Sequence, residues 1–177
     1  MANKVIYSSE DIKRTLQRLS HEIVEKNGGL KNVCLLGIQT KGVFIAERIK
    51  KELLLNEKLE VETGSLNISI YRDDLISGYF VPEVKESIIN FSLDNKIIIL
   101  CDDVLYTGRT VRAAIDAIFE IGRPQKIELL VLCDRGHREL PVHADFIGKN
   151  IPTSLKEEVI VSLTEIDAID KIELSQN

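Results

Sequence analysis

The sequence predicts an α/β protein, a mostly parallel, twisted sheet flanked by helices. Unbroken apolar runs are the first reason: Val33-Cys34-Leu35-Leu36-Gly37-Ile38, Ile97-Ile98-Ile99-Leu100-Cys101 and Ile127 through Cys133. Such runs, bounded by polar turns, read as strands buried on both faces, as parallel strands are. Segments of helical periodicity alternate with them and end at glycine or proline, which is the second reason. Size is the third: 177 residues with 44% hydrophobic and 29% charged content suit one soluble domain spanning 1–177.

Taken in order, Ile12, Leu16, Leu19 and Ile23 recur at helical spacing, with Ser8 or Ser9 as the cap and Gly28-Gly29 as the stop. On the opposite face Arg14, Arg18 and His21 form a stripe that is either a solvated helix face or a row of donors for phosphates. The strand 33–38 leads through Gln39-Thr40-Lys41-Gly42 into a helix carrying Val43, Ile45, Ala46 and Ile49. Leu66, Ile68 and Ile70 alternate with polar residues as in a half-buried strand. An irregular stretch follows over about 71–95, long enough to be a lid or binding arm. After the run at 97–101, a helix is expected through Val111, Ala114, Ile115 and Ile118, closed by Gly122 and Pro124. The strand 127–133 then delivers the polar run Asp134-Arg135-Gly136-His137-Arg138-Glu139-Leu140-Pro141, and a last alternating strand lies near Val159, Val161 and Leu163. The tail after Glu165 carries no legible pattern.

No apolar run approaches the roughly 20 residues that span a bilayer and no signal-peptide pattern opens the chain, so a cytoplasmic protein without membrane partners is expected. Cys34, Cys101 and Cys133 lack metal-ligand spacing and read as buried, reduced thiols on strands. A net charge of −5 argues against a nonspecific polyanion binder and leaves a local basic patch open.

The chemistry concentrates in Ile98-Ile99-Leu100-Cys101-Asp102-Asp103-Val104-Leu105-Tyr106-Thr107-Gly108-Arg109-Thr110. A buried strand ends in two carboxylates, and Thr107, Gly108, Arg109 and Thr110 fall where the next helix begins. Unpaired N–H groups and the helix dipole favour a phosphate there. Asp102 and Asp103 can accept hydrogen bonds from vicinal sugar hydroxyls. The two features together make a ribose 5-phosphate cradle. Thr40, Lys41 and Gly42 form a second strand-to-helix turn suited to anions.

The run 98–110 resembles the phosphoribosyl-diphosphate signature of the type I phosphoribosyltransferases. Together with 134–141 and Gly148-Lys149-Asn150-Ile151-Pro152-Thr153-Ser154, it is similar to one subfamily, the bifunctional pyrimidine operon regulatory protein / uracil phosphoribosyltransferases. The resemblance implies the type I fold, with a small hood and a flexible active-site loop over about 71–95. It implies transfer of ribose 5-phosphate from phosphoribosyl diphosphate to uracil, giving UMP and diphosphate, with Mg²⁺ bound mainly through substrate rather than by direct protein ligands. UMP-dependent binding to the leader RNA of pyrimidine genes is implied as the second activity, and a homodimer or higher oligomer as the assembly.

By the same resemblance Asp102 and Asp103 hold the ribose, and the segment Val104, Leu105, Tyr106, Thr107, Gly108, Arg109 and Thr110 contains the 5-phosphate cradle. Thr40, Lys41, Gly42 and Arg72 receive the diphosphate, Lys41 and Arg72 being catalytic with the two aspartates. Asp134 and Arg135 border the base. The peptide between Thr40 and Lys41 is expected to be cis. Arg14, Arg18, His21, Thr40, His137, Arg138 and Lys149 fall on the RNA face, where Gln17, Lys26 and His143 depart from the threonine, arginine and arginine of the subfamily pattern. His137 also reads as a loop histidine paired with a cleft carboxylate. A phosphoribosyltransferase for another nucleobase without an RNA role, and an RNA regulator with a mere sensor pocket, are the competing readings.

Overall fold

The computed structural model describes residues 3–71 and 86–176. Strand β1 (Lys4–Tyr7) leads into helix α1 (Ser9–Asn27), β2 (Val33–Ile38), α2 (Lys41–Glu57) and β3 (Glu62–Leu66). β4 (Ile97–Leu105), α3 (Arg109–Ile121), β5 (Lys126–Asp134) and β6 (Phe146–Asn150) follow, then β7 (Glu157–Ser162), the one-turn α4 (Thr164–Asp167) and β8 (Lys171–Gln176). Five strands form an all-parallel sheet in the order β3-β2-β4-β5-β6. β1, β8 and β7 form a small antiparallel sheet, the hood.

Period-2 alternation explains why the central strands are apolar throughout. Leu35, Ile99, Cys101, Leu130 and Leu132 point to one face, where they pack with Ile12, Leu16, Leu19 and Ile23 of α1 and Ile45, Ala46, Ile49 and Leu53 of α2. Cys34, Leu36, Ile98, Leu100, Leu129 and Val131 point to the other, against Val111, Ala113, Ala114, Ala117 and Ile118 of α3. Val159, Val161, Leu163 and Ile172 of the hood join the first layer. Each fully buried Leu or Ile contributes roughly 1.5–3 kcal/mol over its exposed state, so the sheet is held from both sides.

α1 begins where the sequence places it. Ser8 and Asp11 form a capping box, the Ser8 hydroxyl accepting from the Asp11 N–H at 3.3 Å and the Asp11 carboxylate from the Ser8 N–H at 3.0 Å. Hydrogen bonds to that carboxylate from the Ser8 hydroxyl at 2.6 Å and from the Ser8 N–H, aided by Arg14, lower the Asp11 pKa to about 2. Gly28, at φ +63°, closes the helix in the left-handed conformation that glycine adopts most cheaply.

The structure differs from the sequence reading in three places. Leu66, Ile68 and Ile70 are not one strand: β2 ends at Ile38, the partner of Leu66, so no ladder remains beyond it. The chain turns there, the Tyr71 N–H donating to the Ile68 carbonyl at 2.9 Å, and Ile70 is 67% exposed. The tail after Glu165 contains β8, the central strand of the hood. Of the loop expected over 71–95, residues 86–95 lie on the body: Ser65 and Ile88 make an antiparallel bridge, and Leu93 is buried in the α3-side core.

The strand order positions the site. From β2 the chain crosses to β3 on one side, and the next strand, β4, pairs on the other side of β2. Ligands of parallel α/β sheets bind outside the carboxyl ends of the strands at such a reversal. Here those ends are the turns that open α2 and α3.

Candidate active site

Close packing of backbone brings the two turns together. A Cβ built on Gly42 would lie 2.2 Å from the Cys101 carbonyl oxygen, so the first turn of α2 rests directly on β4. Only glycine permits that approach. Lys41 thereby reaches the aspartates, its Nζ 3.7 Å from the Asp103 carboxylate and donating to the Val161 carbonyl of the hood at 2.6 Å. The non-proline cis peptide lies at Gln39–Thr40, one bond before the expected Thr40–Lys41.

Asp102 is buried and Asp103 half-buried at the end of β4. The Asp103 N–H donates to Asp102 Oδ1 at 3.0 Å, and the Val104 N–H to Asp103 Oδ1 at 2.8 Å. These bonds orient the two carboxylates, which are acceptors of the kind that sugar hydroxyls need. Gly108, at φ +93°, then swings the chain into α3 and, lacking a side chain, makes no cap bond of its own. The Thr107 hydroxyl accepts from the Arg109 N–H at 3.3 Å. A cavity of about 290 Å³ lies here, lined by Asp102, by 104–111 and by Glu139. The first-turn amides of a 13-residue helix facing that cavity form an anion site.

A third wall comes from the loop after β5. The Arg135 N–H donates to the Leu105 carbonyl, and the Glu139 and Leu140 N–H groups to that of Thr107, at 3.0–3.1 Å. Buried Arg135 stacks its guanidinium 4.1 Å from the Tyr106 ring centroid and donates to Thr153 Oγ1 and the Glu157 carbonyl. Its side chain therefore braces the loop. Asp134 accepts from the Gly136 N–H at 2.9 Å and from Arg138.

The residues expected on an RNA face divide. Arg14, 72% exposed, pairs with Asp11 at 2.8 Å. Arg18, one turn on, pairs with Glu22 and donates to the Ile147 and Gly148 carbonyls at 3.0 and 2.8 Å, closing part of the free edge of β6. Lys149, next on that strand, lies 5.9 Å from the Tyr7 ring centroid. His21 Nδ1 is 4.0 Å from a Glu57 carboxylate oxygen, so it leans toward α2. His137, at φ +59°, sets Nε2 2.6 Å from the Thr153 carbonyl rather than against a cleft carboxylate. Arg138 turns inward, bonded to Asp134 and to the Leu105, Tyr106, Gly136 and Val142 carbonyls. Thr40 is exposed at the mouth of the cleft, and Arg72 lies outside the described residues.

Lys26, one of the three departures, pairs with Asp145 at 2.5 Å and lies 3.4 Å from fully buried Glu128. Burial alone would raise the Glu128 pKa, but hydrogen bonds from Lys126 and Asn27 and the charge of Lys26 hold it low. Glu139 and the Val161 carbonyl join the site without a sequence signal: Glu139 sits in the polar run at 134–141 with no distinguishing spacing, and a backbone carbonyl leaves no trace in the side-chain pattern.

The family model for the phosphoribosyl transferase domain matches residues 3–164. The chain belongs to the phosphoribosyltransferase family. Curated relatives agree along almost the whole length. A Clostridioides difficile protein named bifunctional protein PyrR is 52% identical over 165 residues, covering 93% of each chain. One of the same name from Ligilactobacillus salivarius is 51% identical over 175 residues, covering 98% of each. Among solved structures, a hypoxanthine phosphoribosyltransferase from Staphylococcus aureus superposes with a TM-score of 0.72 at 20% identity, over 96% of this chain and 90% of that one. The enzyme of that name from Trypanosoma cruzi gives a TM-score of 0.72 at 16% identity, over 99% and 97%. These last two establish the phosphoribosyltransferase fold. No helix among the described residues is long and apolar enough to cross a membrane.

Proposed function

We propose that this phosphoribosyltransferase is a bifunctional regulator of pyrimidine genes. It transfers ribose 5-phosphate from phosphoribosyl diphosphate to uracil, and its UMP-bound form binds leader RNA to promote transcription termination. The observation that carries the catalytic half is the meeting of two anion-binding turns at the reversal of strand order, with Lys41 beside Asp103. Near-full-length identity above 50% to proteins named bifunctional protein PyrR supports the pairing of activities.

In the reaction, uracil N1 gives up its proton and bonds to C1′ as the C1′–oxygen bond to diphosphate breaks. Positive charge builds on the sugar ring in the transition state, so positioning and charge stabilisation matter more than a nucleophile. Asp102 and Asp103 hold the ribose hydroxyls and set negative charge beneath the ring. The amides and hydroxyls of Thr107, Gly108, Arg109 and Thr110 grip the 5-phosphate. Thr40, Lys41, Gly42 and Arg72 receive the departing diphosphate, and backbone at Asp134 and Arg135 frames the base. Mg²⁺ bound mainly through substrate would supply charge neutralisation for the leaving group, and the adjacent carboxylates Asp102 and Asp103 suit a cation that takes most of its ligands from substrate. The regulator works in the cytoplasm as a homodimer or higher oligomer, with Arg14, Arg18, His21, Thr40, His137, Arg138 and Lys149 contributing to the RNA face.

The test is binding to a pyrimidine-leader hairpin with and without UMP over a salt series. Tight binding that UMP strengthens, and that falls steeply with salt as phosphate contacts release counterions, is expected. Weak binding indifferent to UMP would reduce the chain to a salvage enzyme. Competition among nucleobases in the transferase assay identifies the acceptor, uracil being expected.

A further inference from the structure

We propose that Glu139 is an internal competitor for the 5-phosphate: its carboxylate holds the Arg109 side chain until a phosphate displaces it, which keeps the nucleotide product releasable. The inference rests on the function proposed above and assigns a new determinant to the same site.

Arg109 Nε donates to Glu139 Oε2 at 2.7 Å, and both residues line the cavity in front of the α3 amides. A phosphate seated on those amides shares the cavity with the Glu139 carboxylate, and like charges so placed repel. Arg109 must therefore divide its donors between two anions. A phosphate dianion offers more charge and more acceptor oxygens, so it prevails, but only after breaking the existing pair. That pair is half-exposed, with side-chain exposures of 46% and 52%, so the penalty is modest.

The backbone of the competitor is fixed in place. The N–H groups of Glu139 and Leu140 both donate to the Thr107 carbonyl, and Arg138 ties the same loop to Leu105 and Tyr106. Glu139 thus keeps its position relative to the cradle whether or not its side chain is engaged, as a competitor must. The same carboxylate sets the UMP concentration at which the regulator responds, because product and effector share one phosphate site.

The test is calorimetry of UMP and of uridine with wild type and Glu139→Gln, with thermal melting to confirm folding. Glu139→Gln should tighten UMP two- to fivefold, roughly the contribution of a half-exposed ion pair, and leave uridine unchanged. The KM for phosphoribosyl diphosphate should fall by a similar factor, and Glu139→Asp should restore wild-type behaviour in part. Asp116→Asn, which removes a charge paired with Arg112 further along α3, should leave UMP affinity unchanged. Unchanged or weaker UMP binding in Glu139→Gln, or equal tightening in Asp116→Asn, overturns the proposal. Hairpin binding measured against UMP should half-saturate at correspondingly lower UMP in Glu139→Gln. A wild type that binds no RNA defeats the regulator reading, while the UMP and uridine titrations still decide the role of Glu139.

Discussion

Replacing Gly42 by alanine tests whether contact between the first turn of α2 and β4 sets the catalytic geometry. The new Cβ would sit 2.2 Å from the Cys101 carbonyl oxygen, whereas ordinary contact begins near 3.4 Å. The helix start must therefore retreat by about 1.2 Å, because backbone on both sides leaves no side chain to rotate away. Overpacking of this kind costs about 1–3 kcal/mol, which in a domain of this size lowers the melting temperature by roughly 2–12 °C. The effect on chemistry is larger in proportion. Thr40 and Lys41 move with the helix while Asp102 and Asp103 stay on the sheet, and a displacement near 1 Å at a reacting centre costs on the order of 10²-fold in rate. Steady-state UMP formation at a temperature well below the melting transition separates the two effects. A folded Gly42→Ala variant with wild-type kcat/KM would refute the argument that this approach aligns the diphosphate and ribose sites.

Three more predictions follow from the same structure. Asp103→Asn should fold normally, as judged by melting within about 2 °C of wild type, yet lose UMP formation by at least about 10²-fold; normal turnover would contradict the ribose assignment. Arg48→Met should destabilise the hood by about 2 kcal/mol, since Arg48 makes four hydrogen bonds of 2.6–2.9 Å to Glu165 and Asp170. The Arg48 hydrogen bonds lower the Glu165 pKa; for Asp170 burial works the other way, and hydrogen bonds from Arg48 and Thr164 outweigh it. Their contribution is complete above the ordinary carboxylate range and is lost as pH falls through the lowered native values. Melting across pH should therefore show a wild-type advantage that is flat above about pH 6 and closes in strong acid; an advantage independent of pH would contradict the pairing. Arg18→Ala should weaken hairpin binding with little change in uracil turnover, and the slope of log affinity against log salt should fall by at most about 1.

The architecture was legible because parallel strands buried on both faces leave a hydrophobic trace that survives any context. Runs such as Ile97-Ile98-Ile99-Leu100-Cys101 fill both core layers, and the glycines and hydroxyls after them mark the turns. The hood was not. β1 is a four-residue edge strand with two exposed positions, and β8 finds its partners more than 160 residues away at β1 and next door at β7. The misread alternation at Leu66, Ile68 and Ile70 reflects Ile68 tucking under the α3-side core after the sheet has ended. The two strand-to-helix turns were legible locally, since the residues that end a strand and open a helix are neighbours in sequence. Long-range partners were not: Lys41 meets Val161, and Arg18 meets the β6 carbonyls, across more than 100 residues. Arg138 shows the limit most clearly, because an arginine in a polar loop gives no sign that it will turn inward.

Cys34, Cys101 and Cys133 lie on three adjacent strands in the middle of the sheet, each with 0% exposure. Burial pushes the Cys34 and Cys133 thiols up to about 12, and that of Cys101 also upward. Thiolate is thus almost absent at neutral pH, and a reagent can reach sulfur only after the sheet separates. The molecule therefore carries its own stopwatch. The rate at which an alkylating probe consumes these thiols counts excursions through the opened sheet, and a ligand seated at the end of β4 should lengthen every interval by the factor its affinity dictates.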